Sequence, residues 1–80
     1  MVLEIMAFGI TKDIVGKTIL NFELPEGSSV KELKEQLEAN YPKMQELKSL
    51  LIAVNEEYGD ETHILSEKDE IALIPPVSGG

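Results

Sequence analysis

The 80-residue sequence predicts a single α+β domain in which one main helix packs on one face of a mixed sheet of four or five strands. Three observations predict this class. Residues 2–8 and 18–24 have the composition and alternation of two strands, a helix with one apolar stripe follows them, and two later apolar segments have strand length. Folding at this length buries only about 60% of the unfolded chain's surface, so a deep pocket within the chain is not expected.

The first two predicted strands are joined by a connection over residues 9–16. Segment 2–8 is apolar on both faces, with Glu4 as its only charge, which is typical of a strand in the middle of a sheet. Segment 18–24 alternates more regularly, because Leu20, Phe22 and Leu24 share one face. The two segments are therefore predicted to pair antiparallel.

The main helix is predicted to begin after a turn at residues 25–27. Ser29 and Glu32 have the spacing of a capping box, in which each residue satisfies a backbone N–H of the other. The apolar residues that follow share one face of the helix: Val30, Leu33 and Leu37. Asn40 and Pro42 are expected to end the helix, since proline disfavours helical backbone in the residue before it.

A short second helical piece is predicted within residues 43–49, followed by a buried strand over residues 50–54. Residues 55–62 are predicted to form a polar loop flanked by a short strand, with Gly59 and Asp60 as the turn signal.

The last predicted strand spans residues 70–74 and is apolar enough to lie beside segment 2–8 in the centre of the sheet. Ahead of it, Ile64 and Leu65 are expected to plug the core from a connecting segment. Residues 1–74 thus form the body of the domain.

Charge and composition exclude several functions. The formal net charge is −8, and the segment from Glu56 to Glu70 holds seven acidic residues against Lys68. Nucleic acid and anionic membranes are not expected partners, because both attract Lys and Arg. No apolar segment is long enough to span a membrane, so a cytoplasmic location is the default. With no cysteine and only His63 as histidine, a metal site is not expected.

The last six residues, 75–80, are predicted to form an extended, flexible tail. Pro75 and Pro76 lack backbone N–H groups and cannot continue a paired central strand. Fully extended, such a tail reaches on the order of 20 Å. Gly79 and Gly80 have no Cβ, so a narrow channel could close around them. The terminal carboxylate, with an ordinary pKa of about 3.3 to 3.7, is ionised at neutral pH and would need activation before acyl transfer.

Four segments carry a resemblance to a known family: Phe8 with the 11–16 loop, Ile52-Ala53-Val54-Asn55, Leu65 with Asp69-Glu70-Ile71-Ala72, and Pro75-Pro76-Val77-Ser78-Gly79-Gly80. On these residues the chain resembles the ubiquitin-like β-grasp sulfur carriers, and most closely the small subunits of molybdopterin synthase. It departs from them in having Leu73 and Ile74 where aromatic residues are frequent, and Lys12 where arginine is frequent.

The resemblance implies a mechanism centred on Gly80. Its carboxylate would be adenylated and converted to a thiocarboxylate, which donates sulfur to a cyclic pyranopterin precursor of the molybdenum or tungsten cofactor. Gly79 belongs to the same reacting end. The resemblance also implies a partner-binding face: Phe8, Leu73, Pro75, Pro76, Val77 and Ser78.

The partners implied by the resemblance are the large catalytic subunit of molybdopterin synthase, in a heterotetramer, an adenylyltransferase similar to ubiquitin-activating enzymes, and a sulfur donor protein. The chain would bind no cofactor itself, and ATP would be used by the activating enzyme. It would thus be a carrier subunit of a sulfurtransferase and not an enzyme on its own.

Two alternatives belong to other classes. The chain could be a related carrier for thiamine or tRNA thiolation, or a protein modifier conjugated through Gly80. It could also be a plain β-grasp interaction domain, since glycine-containing termini are usually frayed ends.

Overall fold

The computed structural model describes residues 1–47 and 50–75. Over these residues the elements follow in the order β1 (Val2–Ala7), α1 (Ile10–Val15), β2 (Ile19–Glu23), α2 (Val30–Asn40), a 3-10 helix (Pro42–Glu46), β3 (Leu51–Val54), β4 (Glu57–Tyr58) and β5 (Ile71–Ile74). The five strands within these ranges form one mixed sheet in the order β2-β1-β5-β3-β4. The predicted α+β class is confirmed.

The centre of the sheet is the parallel pair of β1 and β5, in which Ile5 faces Ile71 and Ala7 faces Leu73. β2 pairs antiparallel with β1, and β3 pairs antiparallel with β5. The first and last strands therefore lie side by side, as predicted. Because β1 and β5 run in the same direction, the end of β5 lies beside the end of β1.

The core lies between α2 and one face of the sheet. Leu3 and Ile5 of β1 and Leu33 and Leu37 of α2 are fully buried in one apolar cluster. Burial along β1 alternates strictly, so only this face of the strand is covered. β1 lies between β2 and β5, as predicted for a strand in the middle of the sheet, and no layer in the described residues covers its other face.

The helix α2 begins as predicted. Ser29 Oγ accepts from the backbone N–H of Glu32 at 3.2 Å, and the Glu32 carboxylate accepts from the backbone N–H of Ser29, which completes the capping box. The helix ends at Asn40, and Pro42 opens the 3-10 helix. The predicted helical piece within residues 43–49 is therefore a 3-10 helix that ends at Glu46, and residues 48–49 lie outside the described ranges.

The connection after β1 contains a helix that the sequence analysis did not predict. The helix α1 has only six residues and ends at Gly16, whose φ of 79° is left-handed and whose N–H donates to the Lys12 carbonyl. Six residues are too few to show helical periodicity, and the glycines at both ends are typical of a loop. The sequence pattern of residues 9–16 therefore did not indicate a helix.

The turn between β3 and β4 is formed by Asn55 and Glu56, both with positive φ, of 53° and 70°. Two such residues are the requirement of a type I′ hairpin turn. Gly59 and Asp60, the predicted turn signal of residues 55–62, follow β4, and the His63 N–H donates to the Asp60 carbonyl in a turn there. Gly59 lies against the core, where a Cβ would be 3.0 Å from Val54 Cγ2.

The connection before β5 places one of its two apolar residues in the core. Leu65 is buried, as predicted, whereas Ile64 is 57% exposed, which corrects its predicted role as a core plug. Ile64 pairs with Ser29 in an isolated bridge, and adjacent extended residues point to opposite sides.

Among the described residues, no helix has the length and apolarity needed to cross a membrane.

Candidate functional site

The candidate site is the point at which the chain leaves the sheet. β5 stays paired with β3 up to Ile74, which faces Leu51, and Pro75 follows as a half-buried residue. Proline has no N–H to donate to a neighbouring strand, so the ladder ends here, as predicted. The tail therefore begins at the centre of the sheet, beside the end of β1.

Pro75 lies directly on Gly9, the residue between β1 and the first residues of α1. A Cβ built on Gly9 would be only 3.1 Å from Cγ of Pro75. Gly9 also has a φ of 55° and a ψ of −131°, a backbone conformation essentially confined to glycine. Glycine is thus required here for two reasons, and the proline ring fits the space that its missing side chain leaves.

Thr11 fixes the backbone beneath this contact. Its side chain is fully buried, and Oγ1 accepts from the N–H of Phe8 at 2.9 Å while its hydroxyl donates to the Phe8 carbonyl. One threonine therefore satisfies both polar backbone groups of Phe8 at the end of β1. Neither Gly9 nor Thr11 is among the site residues predicted from the sequence. The only available signal was a glycine immediately after an apolar strand, which marks a close backbone approach.

The predicted partner-binding residues separate in the structure. Phe8 is 43% exposed and stands next to the exit, where a partner can contact it. Leu73 is fully buried, because it pairs with Ala7 and Ile52 on the face of the sheet that packs against α2. Its predicted place in a docking face is corrected: Leu73 is a core residue, and Ala72 and Ile74 of the same strand take the opposite side.

The remaining predicted site residues fall outside the described ranges: Pro76, Val77, Ser78, Gly79 and Gly80. Pro75 is therefore the last residue of the predicted docking face whose surroundings the structure defines.

The acidic segment is organised around Asp69. Its carboxylate accepts from the Ser66 N–H at 2.9 Å and from the Asn55 side-chain amide at 3.0 Å, and lies 3.5 Å from Nε2 of His63. Partial burial raises the pKa of Asp69, but the hydrogen bonds from Ser66, Asn55 and His63 together outweigh it and hold the pKa below its ordinary value of 3.8. The Asn55 carbonyl in turn accepts from the Glu70 N–H at 2.9 Å.

This network ties the β3–β4 turn to the start of β5, which supports a structural role for His63. Ser66 joins the network through its backbone N–H and not through its hydroxyl. Ser66, His63 and Asp69 therefore do not form a hydrolytic triad. Across the described ranges, no group of three or more His, Asp or Glu side chains could hold a metal ion.

Comparison with known proteins relates this arrangement to one family. The model of the ThiS family matches residues 5–80. The molybdopterin synthase sulfur carrier subunit of Arabidopsis thaliana is 32% identical over 98% of this chain and 82% of its own length. That of Dictyostelium discoideum is 38% identical over 96% of this chain and 94% of its own length.

Solved structures share the fold. A putative molybdopterin converting factor subunit 1 from Pyrococcus furiosus superposes with a TM-score of 0.85 at 26% identity, over 95% of this chain and 98% of that one. A chain of the Helicobacter pylori complex of subunits 1 and 2 of molybdopterin-converting factor superposes with a TM-score of 0.67 at 27% identity, covering both chains fully. The predicted ubiquitin-like β-grasp fold is confirmed.

Proposed function

This chain belongs to the ThiS family, and from that membership we propose that it is a sulfur carrier for molybdopterin synthesis, with the sulfur held at Gly80. The observation that carries the proposal is the extent of the family match, which runs from β1 through the final glycine. Relatives that are more than 30% identical over nearly the whole chain are molybdopterin synthase sulfur carrier subunits.

The first step of the proposed mechanism is activation of the tail. A carboxylate oxygen of Gly80 attacks the α-phosphorus of ATP in a separate adenylyltransferase, and pyrophosphate leaves. The terminal sulfur of a persulfide on a donor protein then attacks the acyl carbon and AMP leaves, which gives an acyl disulfide. A second thiol attacks the donor sulfur and breaks the S–S bond, so that the thiocarboxylate is released and the donor leaves as a disulfide. Because Gly79 and Gly80 carry no side chain, nothing on the chain itself crowds either attack.

The second step is transfer to a cyclic pyranopterin precursor in the large catalytic subunit. The thiocarboxylate sulfur attacks an electrophilic carbon of the precursor and a carbon–oxygen bond at that carbon breaks, so that a thioester joins the two molecules. Water then cleaves the bond between the Gly80 acyl carbon and sulfur, which leaves sulfur on the pterin and returns the Gly80 carboxylate. Two thiocarboxylated carriers are needed for each product, because the dithiolene contains two sulfur atoms. The Helicobacter pylori complex of subunits 1 and 2 supports a large-subunit partner, and a heterotetramer of two carriers and two large subunits fits the requirement for two sulfurs.

The contribution of this chain to the chemistry is positioning. The contact of Pro75 with Gly9 and the bracing of Phe8 by Thr11 define the point from which the tail starts. Beyond Pro75, five fully extended residues would reach about 17 Å, enough to bring the sulfur into a partner's active site. Holding the nucleophile against its target raises its effective concentration, while the body of the domain supplies binding energy.

The test is an intact-mass measurement after incubation with ATP, a sulfur donor and an adenylyltransferase of the family. We expect a mass gain equal to the replacement of one oxygen by sulfur, located in a C-terminal peptide that contains Gly80. A variant that lacks Gly80 should gain no mass. Ser78→Ala, which keeps a small side chain at position 78 and retains both glycines, should show the same mass gain as the unmodified chain.

Two results would contradict the proposal. An unchanged mass with an enzyme that charges a control carrier would favour a plain interaction domain. Covalent attachment of Gly80 to lysine side chains, without sulfur delivery to a pyranopterin, would favour a protein modifier.

A further inference from the structure

The backbone on which Pro75 rests is held by a dense set of local hydrogen bonds. The Phe8 carbonyl accepts from both the backbone N–H and the hydroxyl of Thr11, and the Phe8 N–H donates to Thr11 Oγ1 at 2.9 Å. The Gly9 carbonyl accepts from the N–H groups of Lys12 at 3.1 Å and Asp13 at 3.4 Å. We call residues 8–11 the exit platform. Because each of these bonds closes a local ring, the exit platform has little freedom to change shape.

Gly9 combines an unusual backbone conformation with the contact to Pro75. Its φ of 55° and ψ of −131° lie in a region essentially confined to glycine, and residues held in such regions cluster at functional sites. A Cβ at this position would lie 3.1 Å from Cγ of Pro75, so the proline ring uses the space of the absent side chain. The exit platform therefore has the shape of a seat for the proline ring.

The residue types on the other side of the contact fix the direction of the chain. The ring of Pro75 holds its own φ at about −65°. A proline at the next position, Pro76, restricts ψ of Pro75 to extended values of about 120° to 160°. Ile74 is restricted by Pro75 in the same way and is still paired with Leu51 in the sheet. The direction in which the chain leaves Pro75 is therefore set by β5 and by the seat of the ring on Gly9.

This direction matters because Gly80 is five residues beyond Pro75. Five extended residues span about 17 Å, so a tail that starts about 30° away from the axis of a partner's channel loses about 2 Å of its reach along that channel. A misplacement of about 1 Å at a reacting centre can slow a reaction on the order of a hundredfold. The geometry of the exit thus bears directly on the rate at Gly80.

We propose that Gly9 and Thr11 are positioning residues for the reaction at Gly80. Gly9 seats Pro75, and Thr11 holds Phe8 and Gly9 in the shape that the proline requires. Thr11 is fully buried and Gly9 has no side chain, so neither offers a side chain to a partner. Their loss should therefore slow the reaction in the bound complex and leave the affinity nearly unchanged. This kinetic consequence rests on the proposed carrier function, whereas the exit platform is a property of the described residues.

The rate is measured as a single turnover of thiocarboxylated carrier, checked by intact mass, with saturating large subunit and a cyclic pyranopterin. Thr11→Val removes the hydroxyl and should slow sulfur transfer about tenfold, while the dissociation constant of the carrier changes less than about twofold. Thr11→Ser keeps the hydroxyl and should transfer sulfur at nearly the rate of the unmodified chain. Gly9→Ala fills the seat of the proline and should also slow transfer about tenfold.

A control variant separates lost positioning from lost stability. Val30→Ala shortens a buried side chain at the start of α2, where the Val30 N–H donates to His63 in the segment before β5. It should lower the unfolding midpoint and leave the transfer rate unchanged. The proposal is overturned if Thr11→Val and Gly9→Ala transfer sulfur at the unmodified rate, or if Val30→Ala is slowed as much as they are.

The direction of the tail can also be measured without any sulfur chemistry. The chain contains no cysteine, so two can be introduced for spin labels: Val77→Cys, just beyond the two prolines, and Glu35→Cys, exposed on α2. Thr11→Val and Gly9→Ala should shift or widen the distribution of distances between the labels, and Thr11→Ser and Val30→Ala should not. The same distribution in all four backgrounds would contradict the proposal.

The two measurements distinguish failure of this inference from failure of the proposed function. If the unmodified chain acquires no thiocarboxylate, the carrier function is refuted, and the distances between the labels still decide whether the exit platform directs the tail. If the unmodified chain transfers sulfur and the variants at Gly9 and Thr11 transfer it equally fast, the function stands and positioning by these two residues is refuted.

Discussion

Gly9 and Pro75 are in contact across the parallel strands β1 and β5, and a Cβ at position 9 would lie 3.1 Å from Cγ of the proline. Gly9, two residues after β1, thus lies against the residue at which the chain leaves β5. This contact is the structural link between the body of the domain and the start of its C-terminal tail.

The first prediction concerns this contact. Gly9→Ala should lower the free energy of unfolding by about 2 kcal/mol, because it adds backbone strain at positive φ and crowds Pro75. Gly16→Ala is the control, since φ is also positive there but nothing lies within 4 Å of the added Cβ. It should cost about 1 kcal/mol. Urea unfolding of both variants measures the difference, and equal losses would show that Pro75 is not crowded.

The second prediction concerns the bracing of Phe8. Thr11→Val removes the hydroxyl that serves both backbone groups of Phe8 and should cost about 1–3 kcal/mol, as expected for a buried polar group left unpaired. Thr18→Val, at an exposed position, should change the free energy of unfolding by less than about 0.5 kcal/mol. A small effect at position 11 would mean that water replaces the hydroxyl.

The third prediction concerns the dependence of folding stability on pH below neutrality. The pKa of Asp69 is lower in the folded chain than its ordinary value of 3.8, so its carboxylate stabilises the fold above about pH 4. This contribution is lost as the pH falls through the lowered pKa. Asp69→Asn should therefore reduce stability at neutral pH and flatten its decline below pH 4.

Unfolding midpoints recorded across this range should show the two pH profiles converging in acid. Asp13→Asn, at an exposed carboxylate of α1, is the control. If Asp69→Asn declines in acid as steeply as the unmodified chain, another group is responsible.

The fourth prediction concerns the two sides of β5. Leu73→Ala should cost about 2–5 kcal/mol, because it leaves a cavity in a fully buried cluster. Ile74→Ala, on the half-buried opposite side, should cost clearly less. Thermal unfolding of the two variants distinguishes the core side of β5 from the side facing away from α2, and equal losses would contradict this assignment of sides.

Much of the fold could be predicted from local patterns. The alternation of Leu20, Phe22 and Leu24, the capping box of Ser29 and Glu32, and the stop at Pro75 each depend on neighbouring residues only. The chemistry proposed for the tail is also predicted from local sequence, because it depends only on the residue types that end the chain.

The tertiary structure alone decided what depends on contacts between distant segments. An alternating strand shows that β1 has two faces, but which face is covered depends on where α2 packs, so the exposure of Met6 could not be read from its neighbours. The same holds for Leu73, whose side is set by pairing with Ala7 and Ile52. The sequence by itself determined most of the strands, the main helix and the proposed chemistry of the tail, and the fold decided where the tail starts, because the contact of Gly9 with Pro75 joins residues 66 positions apart.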